Sequence, residues 1–379
     1  MNDRCNEYYI VSGAAWNNDG LKYRRHRLAE FLARDFSTSK VYWVFPKTGI
    51  AEKTRDIQPN IVELAMPDLM ALAKTGCFMQ SRVNKILLSH LDYQKNNYLW
   101  FTHPSYPCLS DKKRWHKIIY DCSDLWFSPG LENNLYKSIY KEIRGKMLLN
   151  SEKRIARKSD IIFATSDYLS DHIFNLSGKN PVLIENGVDY DNFYAGKEAE
   201  LTGIPKPRLG FVGGLKQKID FDLLSYIAEK APQLNIVLIG PKADQKIVSF
   251  EKMLNYNNVY HVGAVDYSKI PLYMRALDVG LLPYRFTEYN KAISPLKLFE
   301  YLAAGLPAVG QGLPSIKKYA EKGVYYHTHT YEEFLSGCLA AIKAKDNNIF
   351  TQKRKELARA NNWPDKLNKM VSHVLGAVK

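Results

Sequence analysis

The chain has 379 residues, of which 46% are hydrophobic and 24% are charged, and its formal net charge is +14. This length exceeds what a single hydrophobic core usually holds, and the apolar content excludes a disordered chain, so we expect two globular domains. The sequence has no run of eighteen apolar residues, and its start lacks the basic and then apolar layout of a signal peptide. We therefore expect a cytoplasmic protein without a membrane span.

Short apolar strands alternate with helical segments along the whole chain, which is the pattern of parallel sheets covered by helices. In the first half, strands are predicted at residues 8–12, 41–45, 61–64, 98–102, 117–120, 161–165 and 182–185. In the second half, they are predicted at residues 208–212, 236–239, 259–262, 279–282, 308–310 and 324–326. The pattern predicts an α/β protein with two doubly wound, Rossmann-like domains that face a central cleft.

The predicted domain boundary is the polar segment 189–206, which is followed by Pro207. The first domain then covers residues 1–188 and the second covers residues 207–362. Residues 363–379 have the pattern of a final helix, which can cross back to the first domain.

The cysteine and histidine positions do not indicate a disulfide framework or a metal centre. The cysteines are odd in number and widely spaced, with no Cys-x-x-Cys pair, which favours reduced thiols. The histidines have no ligand spacing, and turn chemistry explains the two carboxylates of Asp189-Tyr190-Asp191. We expect neither a metal nor a cofactor. The cysteines are Cys5, Cys77, Cys108, Cys122 and Cys338.

Positive charge is concentrated in three clusters of the first half. The last cluster alternates with apolar residues at a spacing of four, which predicts an amphipathic helix with a basic outer face. Such a face can lie on anionic lipid headgroups or can be an ordinary solvated surface. Nucleic acid is not expected, because no recognition motif accompanies the charge. The clusters are Lys22, Arg24, Arg25 and Arg27; Lys112, Lys113, Arg114 and Lys117; and Lys137, Lys141, Arg144, Lys146, Lys153, Arg154, Arg157 and Lys158, the last alternating with Leu135, Ile139, Ile143 and Met147.

Two short segments follow predicted strands and carry candidate chemistry. Gly213 and Gly214 come after the first strand of the second domain, where consecutive glycines let the backbone approach a phosphate or simply form a turn. Asp121 and Asp124 follow a strand of the first domain. A carboxylate at the carboxyl end of a parallel strand can accept a proton from an attacking hydroxyl, or it can cap a helix.

Residues 294–307 have the pattern of a helix of about three turns. Ser294 is the expected N-cap, Pro295 suits the first helical position, and Gly305 suits the left-handed position after the helix. Lys297 and Glu300 share one face, and the lysine lies near the positive end of the helix dipole. The pair is either an ordinary ion pair or a site where the lysine binds a diphosphate and the glutamate binds a ribose diol.

Four stretches together resemble the two-domain nucleotide-sugar glycosyltransferases of the GT-B architecture. These stretches are Glu185-Asn186-Gly187-Val188-Asp189 with Phe193, Phe211-Val212-Gly213-Gly214, Leu277-Asp278-Val279-Gly280-Leu281-Leu282-Pro283-Tyr284, and the helix at 294–307. In such enzymes the second domain binds the sugar nucleotide and the first binds the acceptor.

The resemblance implies roles for individual residues of the second domain. Glu300 should hold the ribose hydroxyls, and Lys297 should hold the diphosphate together with the backbone of the glycine pair. Lys216, Tyr284, Ser294 and Leu296 are also assigned to nucleotide-sugar binding, with residues 286–294 forming part of the donor pocket. Many retaining members carry a Glu-x7-Glu pair; here Ala292 occupies its first position and Glu288 is out of register, which favours inversion.

The first half resembles the family more loosely. Tyr120-Asp121-Cys122-Ser123-Asp124 is similar to the segment that carries the catalytic base in the inverting glucuronosyltransferase of xanthan assembly, and the wider pattern is similar to bacterial teichuronic-acid and capsule transferases. The resemblance implies that Asp124 is the general base. Arg24, Arg25, His26 and His103 are then expected on the acceptor or membrane side.

These patterns lead to one main functional prediction. We expect a glycosyltransferase on the inner face of the cell membrane that moves a hexose or uronic acid from a nucleoside diphosphate sugar, UDP-linked, to a lipid-linked oligosaccharide. The product would be an exopolysaccharide, capsule or teichuronic-type polymer. Two alternatives remain open from the sequence: a non-hydrolysing sugar-nucleotide epimerase, and a basic binding protein with a degenerate site.

Overall fold

The computed structural model describes residues 5–17, 22–35, 39–47, 53–68, 83, 85–87, 89–111, 115–127, 135–244 and 246–376. Cys77 and the basic residues Lys112, Lys113 and Arg114 lie outside the described residues. The chain divides into two units. Unit 1 contains the residues up to Glu185 and those from Leu367 onward, and unit 2 contains Asn186–Lys366.

Unit 1 is built around an eight-stranded sheet with the order β3-β4-β2-β1-β5-β6-β7-β8. Neighbouring strands run parallel, except that β3 pairs antiparallel with β4. The strands are β1 (Asn6–Val11), β2 (Lys40–Lys47), β3 (Lys53–Gln58), β4 (Ile61–Pro67), β5 (Asn96–Phe101), β6 (Lys117–Cys122), β7 (Ile161–Ala164) and β8 (Val182–Leu183). The helices are α1 (Arg24–Asp35), α2 (Leu135–Lys158) and α3 (Asp167–Ser177), with a 3-10 turn at Pro107–Asp111.

Unit 2 is built around a six-stranded parallel sheet with the order β11-β10-β9-β12-β13-β14. Its strands are β9 (Arg208–Val212), β10 (Asn235–Ile239), β11 (Val259–Gly263), β12 (Val279–Pro283), β13 (Ala308–Gln311) and β14 (Tyr325–His327). The helices are α4 (Tyr190–Tyr194), α5 (Phe221–Lys230), α6 (Val248–Met253), α7 (Ile270–Arg275), α8 (Glu288–Ala292), α9 (Leu296–Ala303), α10 (Tyr331–Ala344), α11 (Asn348–Arg359) and α12 (Trp363–Leu375), whose last residues belong to unit 1.

The central strands are almost continuously apolar, because helices cover parallel sheets on both faces. In β1, the side chains of Tyr8 to Val11 are all fully buried, and β10 is buried from end to end. This burial confirms the predicted α/β architecture of two Rossmann-like domains. The strand that the sequence did not predict is β3, whose polar sequence Lys-Thr-Arg-Asp-Ile-Gln forms an edge of the sheet.

The segment between the predicted domains is part of unit 2. Tyr190, Phe193 and Leu201, which fall within the predicted linker 189–206, pack in the hydrophobic core of that unit. The division between the units lies between Glu185 and Asn186, three residues before the predicted end of the first domain at 188.

The amphipathic pattern predicted for α2 is wrong in one respect. The helix forms, but Ile143 of the apolar row is 56% exposed. The buried face after residue 142 is instead formed by Leu148, Glu152, Ile155 and Ala156. No helix among the described residues is long and apolar enough to cross a bilayer.

Candidate active site

The glycine loop of unit 2 follows β9 at the carboxyl edge of the sheet. Gly213 has φ +150°, and its N–H donates to the carbonyl of Ile239 at 2.8 Å. A Cβ atom on Gly240, at the end of β10, would lie 2.1 Å from the carbonyl oxygen of Gly213. The two segments therefore touch through their backbones, which explains why glycine is required at both positions.

Lys297 and Glu300 of α9 form an ion pair beside this loop. The distance from Lys297 Nζ to Glu300 Oε2 is 3.2 Å, and the two side chains are 22% and 7% exposed. Lys297 Cε lies 3.2 Å from the position of a Cβ atom on Gly213, and Lys216 Cε lies 3.4 Å from that of Gly214. Two lysine side chains thus flank the two glycines that the sequence assigned to the diphosphate.

The start of α9 differs from the prediction. Ser294 is not its N-cap, because the Ser294 hydroxyl accepts from the N–H of Asn186 at 3.2 Å and its carbonyl accepts from Asn186 Nδ2 at 2.8 Å. Pro295 is the cap residue, and the helix begins at Leu296. The helix has eight residues, about two turns rather than three. No side chain of the described residues caps its first amides.

The end of α9 agrees with the prediction. Gly305 follows the helix with φ +81° in the left-handed region. Its carbonyl accepts from Nη1 of Arg354 at 2.6 Å, and the guanidinium of this buried arginine also donates to the carbonyls of Ala344 and Lys345. Burial lowers the pKa of Arg354 to about 10, so the side chain remains charged at neutral pH.

Two tyrosines lie behind the glycine loop. Tyr284 is buried, and its ring centre lies 6.4 Å from that of Phe211. Burial is the main cause that raises the pKa of Tyr284, and the Glu300 carboxylate adds to it. The hydroxyl of Tyr301 accepts from the N–H of Val212 at 3.0 Å and donates to the carbonyl of Gly210 at 3.1 Å. Sequence reasoning missed Tyr301; the signal was a hydroxyl within an apolar helix, which requires a partner when it is buried.

Many retaining members carry a glutamate at the position of Ala292, and the side chain of Glu288 does not take its place here. Its side chain is 65% exposed and pairs with Lys291 in the next turn of α8, whereas Ala292 is buried. The Lys297–Glu300 pair is thus not accompanied by a second glutamate at the spacing used by many retaining members.

A cavity of about 260 Å³ adjoins the glycine loop. Leu215 lines it and is joined to the loop after β10 by two hydrogen bonds, from Leu215 N–H to the Pro241 carbonyl and from Ala243 N–H to the Leu215 carbonyl. The cavity is also lined by Lys242, Lys246 and Phe250. Asp244 and Glu251 also line the cavity, so it combines apolar side chains with charged groups of both signs.

In unit 1, Arg24 does not lie on the acceptor or membrane side as predicted. Its side chain is buried and donates from Nε to both carboxylate oxygens of Asp121, at 2.8 and 3.1 Å. Nη1 donates to the carbonyls of Ile184 and Glu185, and Nη2 lies 3.1 Å from the sulfur of Met370. These contacts satisfy the buried guanidinium, so Arg24 holds the end of β6 rather than a ligand.

His26 is also buried, and its predicted place on the acceptor or membrane side is wrong. Nδ1 accepts from the N–H of Tyr23 at 3.0 Å, so the proton is on Nε2, which lies 3.0 Å from the carbonyl of Trp16. The ring stacks on Trp43. Both ring nitrogens of His26 therefore have partners, and these contacts hold the start of α1 within an aromatic cluster.

Asp124 and His103 lie at the carboxyl ends of neighbouring parallel strands, β6 and β5. Asp124 is half-buried, and its Oδ1 accepts from the N–H of Leu125 at 2.8 Å. His103 Nδ1 is 2.6 Å from the hydroxyl of Ser105, and its ring is 4.6 Å from that of Trp126. The structure thus brings these two predicted residues to one edge of the sheet.

Burial, followed by the nearby cations Arg144 and Arg25, lowers the pKa of His103 to about 3. The imidazole is therefore neutral at physiological pH, and both arginines are close to the edge that carries Asp124. Arg25 itself lies with its guanidinium 4.4 Å from the centre of the Tyr23 ring. Among the described residues, no group of three or more histidine, cysteine, aspartate and glutamate side chains is arranged to hold a metal ion.

Comparison with known proteins identifies the family. Residues 206–344 match the family described as glycosyl transferases group 1. TuaH of Bacillus subtilis (strain 168), a glycosyltransferase named for teichuronic acid biosynthesis, is 35% identical over an alignment 377 positions long that covers 94% of this chain and 94% of TuaH.

Solved structures share the fold. Sucrose-phosphate synthase from Thermosynechococcus elongatus has a TM-score of 0.72 and 14% identity, covering 99% of this chain and 100% of that one. Anabaena HepE, solved in complex with UDP, has a TM-score of 0.68 and 13% identity, covering 98% and 100%. The family match and the similarity to TuaH, rather than the shared fold, favour a glycosyltransferase over the epimerase and the basic binding protein. The chain belongs to the group 1 glycosyltransferases and has their GT-B fold.

Proposed function

We propose that this glycosyltransferase moves a hexose or uronic acid from a UDP-linked donor to a lipid-linked saccharide in the synthesis of a bacterial surface polymer. We also propose that it inverts the configuration of the transferred sugar, with Asp124 as the general base. The observation that carries the proposal is the Lys297–Glu300 pair beside Gly213.

The donor site fits a nucleoside diphosphate. Lys216 and Lys297 flank the glycine loop, and the first amides of α9 add the positive end of a helix dipole. Glu300 is buried and receives a hydrogen bond from Lys297, and its remaining lone pairs can accept from two ribose hydroxyls. UDP is the favoured nucleotide because HepE, which shares the fold, was solved with UDP and with UDP-glucose.

The chemical step assigned to unit 1 is proton removal from the acceptor. The acceptor oxygen attacks the anomeric carbon opposite the diphosphate, its proton passes to Asp124, and the bond from the anomeric carbon to the phosphate oxygen breaks. The two lysines and the helix amides stabilise the negative charge of the leaving diphosphate. Arg25 and Arg144, near the same edge as Asp124, suit an anionic acceptor such as a lipid pyrophosphate.

The exposed face of α2 suits the surface of an anionic membrane. It presents six cations, of which Lys146 pairs with the exposed Glu142 at 2.8 Å, and Ile143 adds an exposed apolar side chain. Each cation near such a surface contributes about 1 kcal/mol of attraction. A peripheral position on the inner leaflet would bring the enzyme to a lipid-linked acceptor, and the name of TuaH supports a teichuronic-type polymer as the product class. The cations are Arg144, Lys146, Lys153, Arg154, Arg157 and Lys158.

The test is a transfer assay with a panel of UDP-sugars and a lipid extract as acceptor, with the anomeric configuration of the product read by NMR. We expect one UDP-sugar to give a lipid-linked product of inverted configuration, and UDP to bind more tightly than ADP or GDP in calorimetry. A retained configuration would exclude Asp124 as the base of an inverting transfer. Release of UDP without a lipid product would exclude the lipid-linked acceptor.

The membrane role is tested separately by co-sedimentation with vesicles. Vesicles that contain anionic lipid should bind the protein, and neutral vesicles should not. Replacement of Lys153, Arg154 and Arg157 by glutamine should abolish this binding without changing UDP affinity. Equal binding of the triple variant to anionic vesicles would refute the role of α2.

A further inference from the structure

A buried carboxylate lies behind the segment that carries Asp124, and the mechanism above does not use it. Glu152 of α2 is 1% exposed. Its Oε1 accepts from the hydroxyl of Tyr120 at 2.5 Å and is 3.6 Å from the sulfur of Cys122, both on β6. Its Oε2 accepts from Nε2 of His172, on α3, at 2.9 Å.

Glu152 and its partners contact both ends of residues 122–127, the segment that carries Asp124. At the first end, the sulfur of Cys122 lies between Glu152 and the carbonyl of Asp124, which is 3.8 Å away. At the other end, the ring of Phe127 is 5.1 Å from the ring of His172. A Cβ atom on Gly145 of α2 would lie 2.7 Å from the carbonyl oxygen of Phe127, so the helix and the segment are in direct contact there as well.

The protonation of the partners makes the direction of these hydrogen bonds clear. Burial, followed by the surrounding acidic groups, raises the pKa of both Tyr120 and Cys122, so both keep their protons: Tyr120 donates to Glu152, and the single S–H of Cys122 is shared between Glu152 and the carbonyl of Asp124. Three donors from two elements thus converge on one carboxylate. A side chain with these bonds satisfied has a fixed orientation, and so have the groups bonded to it.

Stability alone does not explain a carboxylate at this position. Removing a charged group from water costs several kcal/mol, and well-packed apolar residues often serve a core equally well or better. A converging set of hydrogen bonds does provide a unique geometry, which a catalytic group needs because small displacements slow the reaction strongly.

We propose that Glu152 is a positioning residue for the transfer reaction: it fixes the segment 122–127 so that the carboxylate of Asp124 points to the acceptor hydroxyl. This inference rests on the proposed role of Asp124 as the base. Glu152 itself is 1% exposed, with both carboxylate oxygens bonded within unit 1, so in this proposal it acts through the segment that it holds.

The first test is the substitution Glu152→Gln, which keeps the shape of the side chain and removes its charge. We expect kcat to fall roughly tenfold to a hundredfold, the range that a displacement of the base by about 1 Å produces. The KM for the donor and the Kd for UDP should not change. Glu142→Gln is the matched control, since it makes the same substitution on the exposed face of the same helix, and it should leave kcat unchanged.

The second test separates positioning from a general loss of structure. In the background of Asp124→Asn, Glu152→Gln should cause no further loss of the residual rate, because the group that it positions is already absent. An equal loss in both backgrounds would overturn the proposal. Wild-type kcat in Glu152→Gln, with Asp124→Asn inactive, would also overturn it and leave the base intact.

The remaining variants cover the case in which Glu152→Gln does not fold. Tyr120→Phe and His172→Leu keep the carboxylate and remove one donor each, and each should lower kcat several-fold without changing the Kd for UDP. Unchanged kcat in both variants would refute the positioning role. A fully active Asp124→Asn variant would instead refute the proposed base, so the two failures are distinguishable.

Discussion

The two units hold their charged residues in different ways. In unit 2, Lys297 and Glu300 are three residues apart on one helix, and the pair faces the glycine loop with part of the lysine exposed. In unit 1, Arg24 and Asp121 are 97 residues apart in sequence and fully enclosed. The spacing of Lys297 and Glu300 on one helix predicts their contact from the sequence alone. The contact between Arg24 and Asp121 forms only when the chain folds, so the sequence does not predict it. The exposure of the two pairs also differs: the partly exposed Lys297–Glu300 pair can bind a ligand, whereas the buried Arg24–Asp121 pair stabilises the end of a strand.

The largest expected effect concerns Asp124. Asp124→Asn should lower kcat by about a hundredfold to ten-thousandfold, the usual contribution of a general base, while the Kd for UDP stays the same. The measurement is the initial rate of transfer together with calorimetry. A rate near that of the wild type would move the base to another residue, and a weaker UDP affinity would place Asp124 in the donor site instead.

The next effect compares the two ion pairs directly. Arg24→Met leaves the buried carboxylate of Asp121 without its partner, so it should lower the free energy of unfolding by about 3 to 5 kcal/mol. Lys297→Met also leaves a buried carboxylate, that of Glu300, without its partner, but Lys297 is 22% exposed and water can reach the pair, so the loss should be smaller, about 1 to 3 kcal/mol. Urea denaturation of both variants measures the two losses. Equal losses would contradict the distinction between a structural pair and a ligand-facing pair.

The third effect concerns Glu300. Glu300→Ala should weaken UDP binding roughly tenfold to a hundredfold, because a hydrogen bond to a charged group contributes about 1.5 to 3 kcal/mol. Glu229→Ala, an exposed glutamate of α5, is the control and should leave the Kd unchanged. Wild-type UDP affinity in Glu300→Ala would refute the assignment of the ribose to this residue.

The last effect concerns pH. The pKa of His103 in unit 1 is lowered to about 3, and that of His327 in unit 2 is lowered to about 4 by burial, followed by the nearby side chains of His329 and Lys317. Below pH 6.5 the unfolded chain therefore takes up protons that the folded chain does not, and the free energy of unfolding falls as the pH falls.

Urea denaturation at about pH 7.5 and about pH 5 tests this expectation. The loss should be no more than about 1.4 kcal/mol for each histidine and pH unit. His103→Asn should reduce the difference between the two conditions through unit 1, and His327→Asn should do so through unit 2. A wild type that is more stable at the lower pH would contradict the sign of both shifts.

The features that sequence predicted correctly are those set by local periodicity. The apolar strands were predicted because parallel strands are buried on both faces, and Gly305 was predicted because the position after a helix favours the left-handed conformation. The predictions were wrong where a residue that is distant in sequence makes the contact. Ser294 is a good cap by composition, but Asn186 engages its hydroxyl, so the helix starts later and is shorter.

In the candidate site, too, the sequence predicted groups that are close along the chain and missed contacts between distant groups. The glycine loop and the Lys297–Glu300 pair lie within short stretches whose spacing carries their chemistry. Arg24 and His26 looked like surface cations because they lie in a basic run, yet each meets partners that only the fold supplies. Glu152 received no role from the sequence, because its three donors come from β6 and α3.

The contact between Gly213 and Gly240 has a consequence for protein engineering. Any side chain at position 240 would collide with a main-chain oxygen at 2.1 Å, so mutagenesis of the loop floor should yield misfolded protein rather than altered selectivity. The side chains of Lys242 and Lys246 line the adjoining cavity and are exposed, so substitutions there meet no such constraint. A library of variants around this cavity should therefore vary these lysines and keep both glycines.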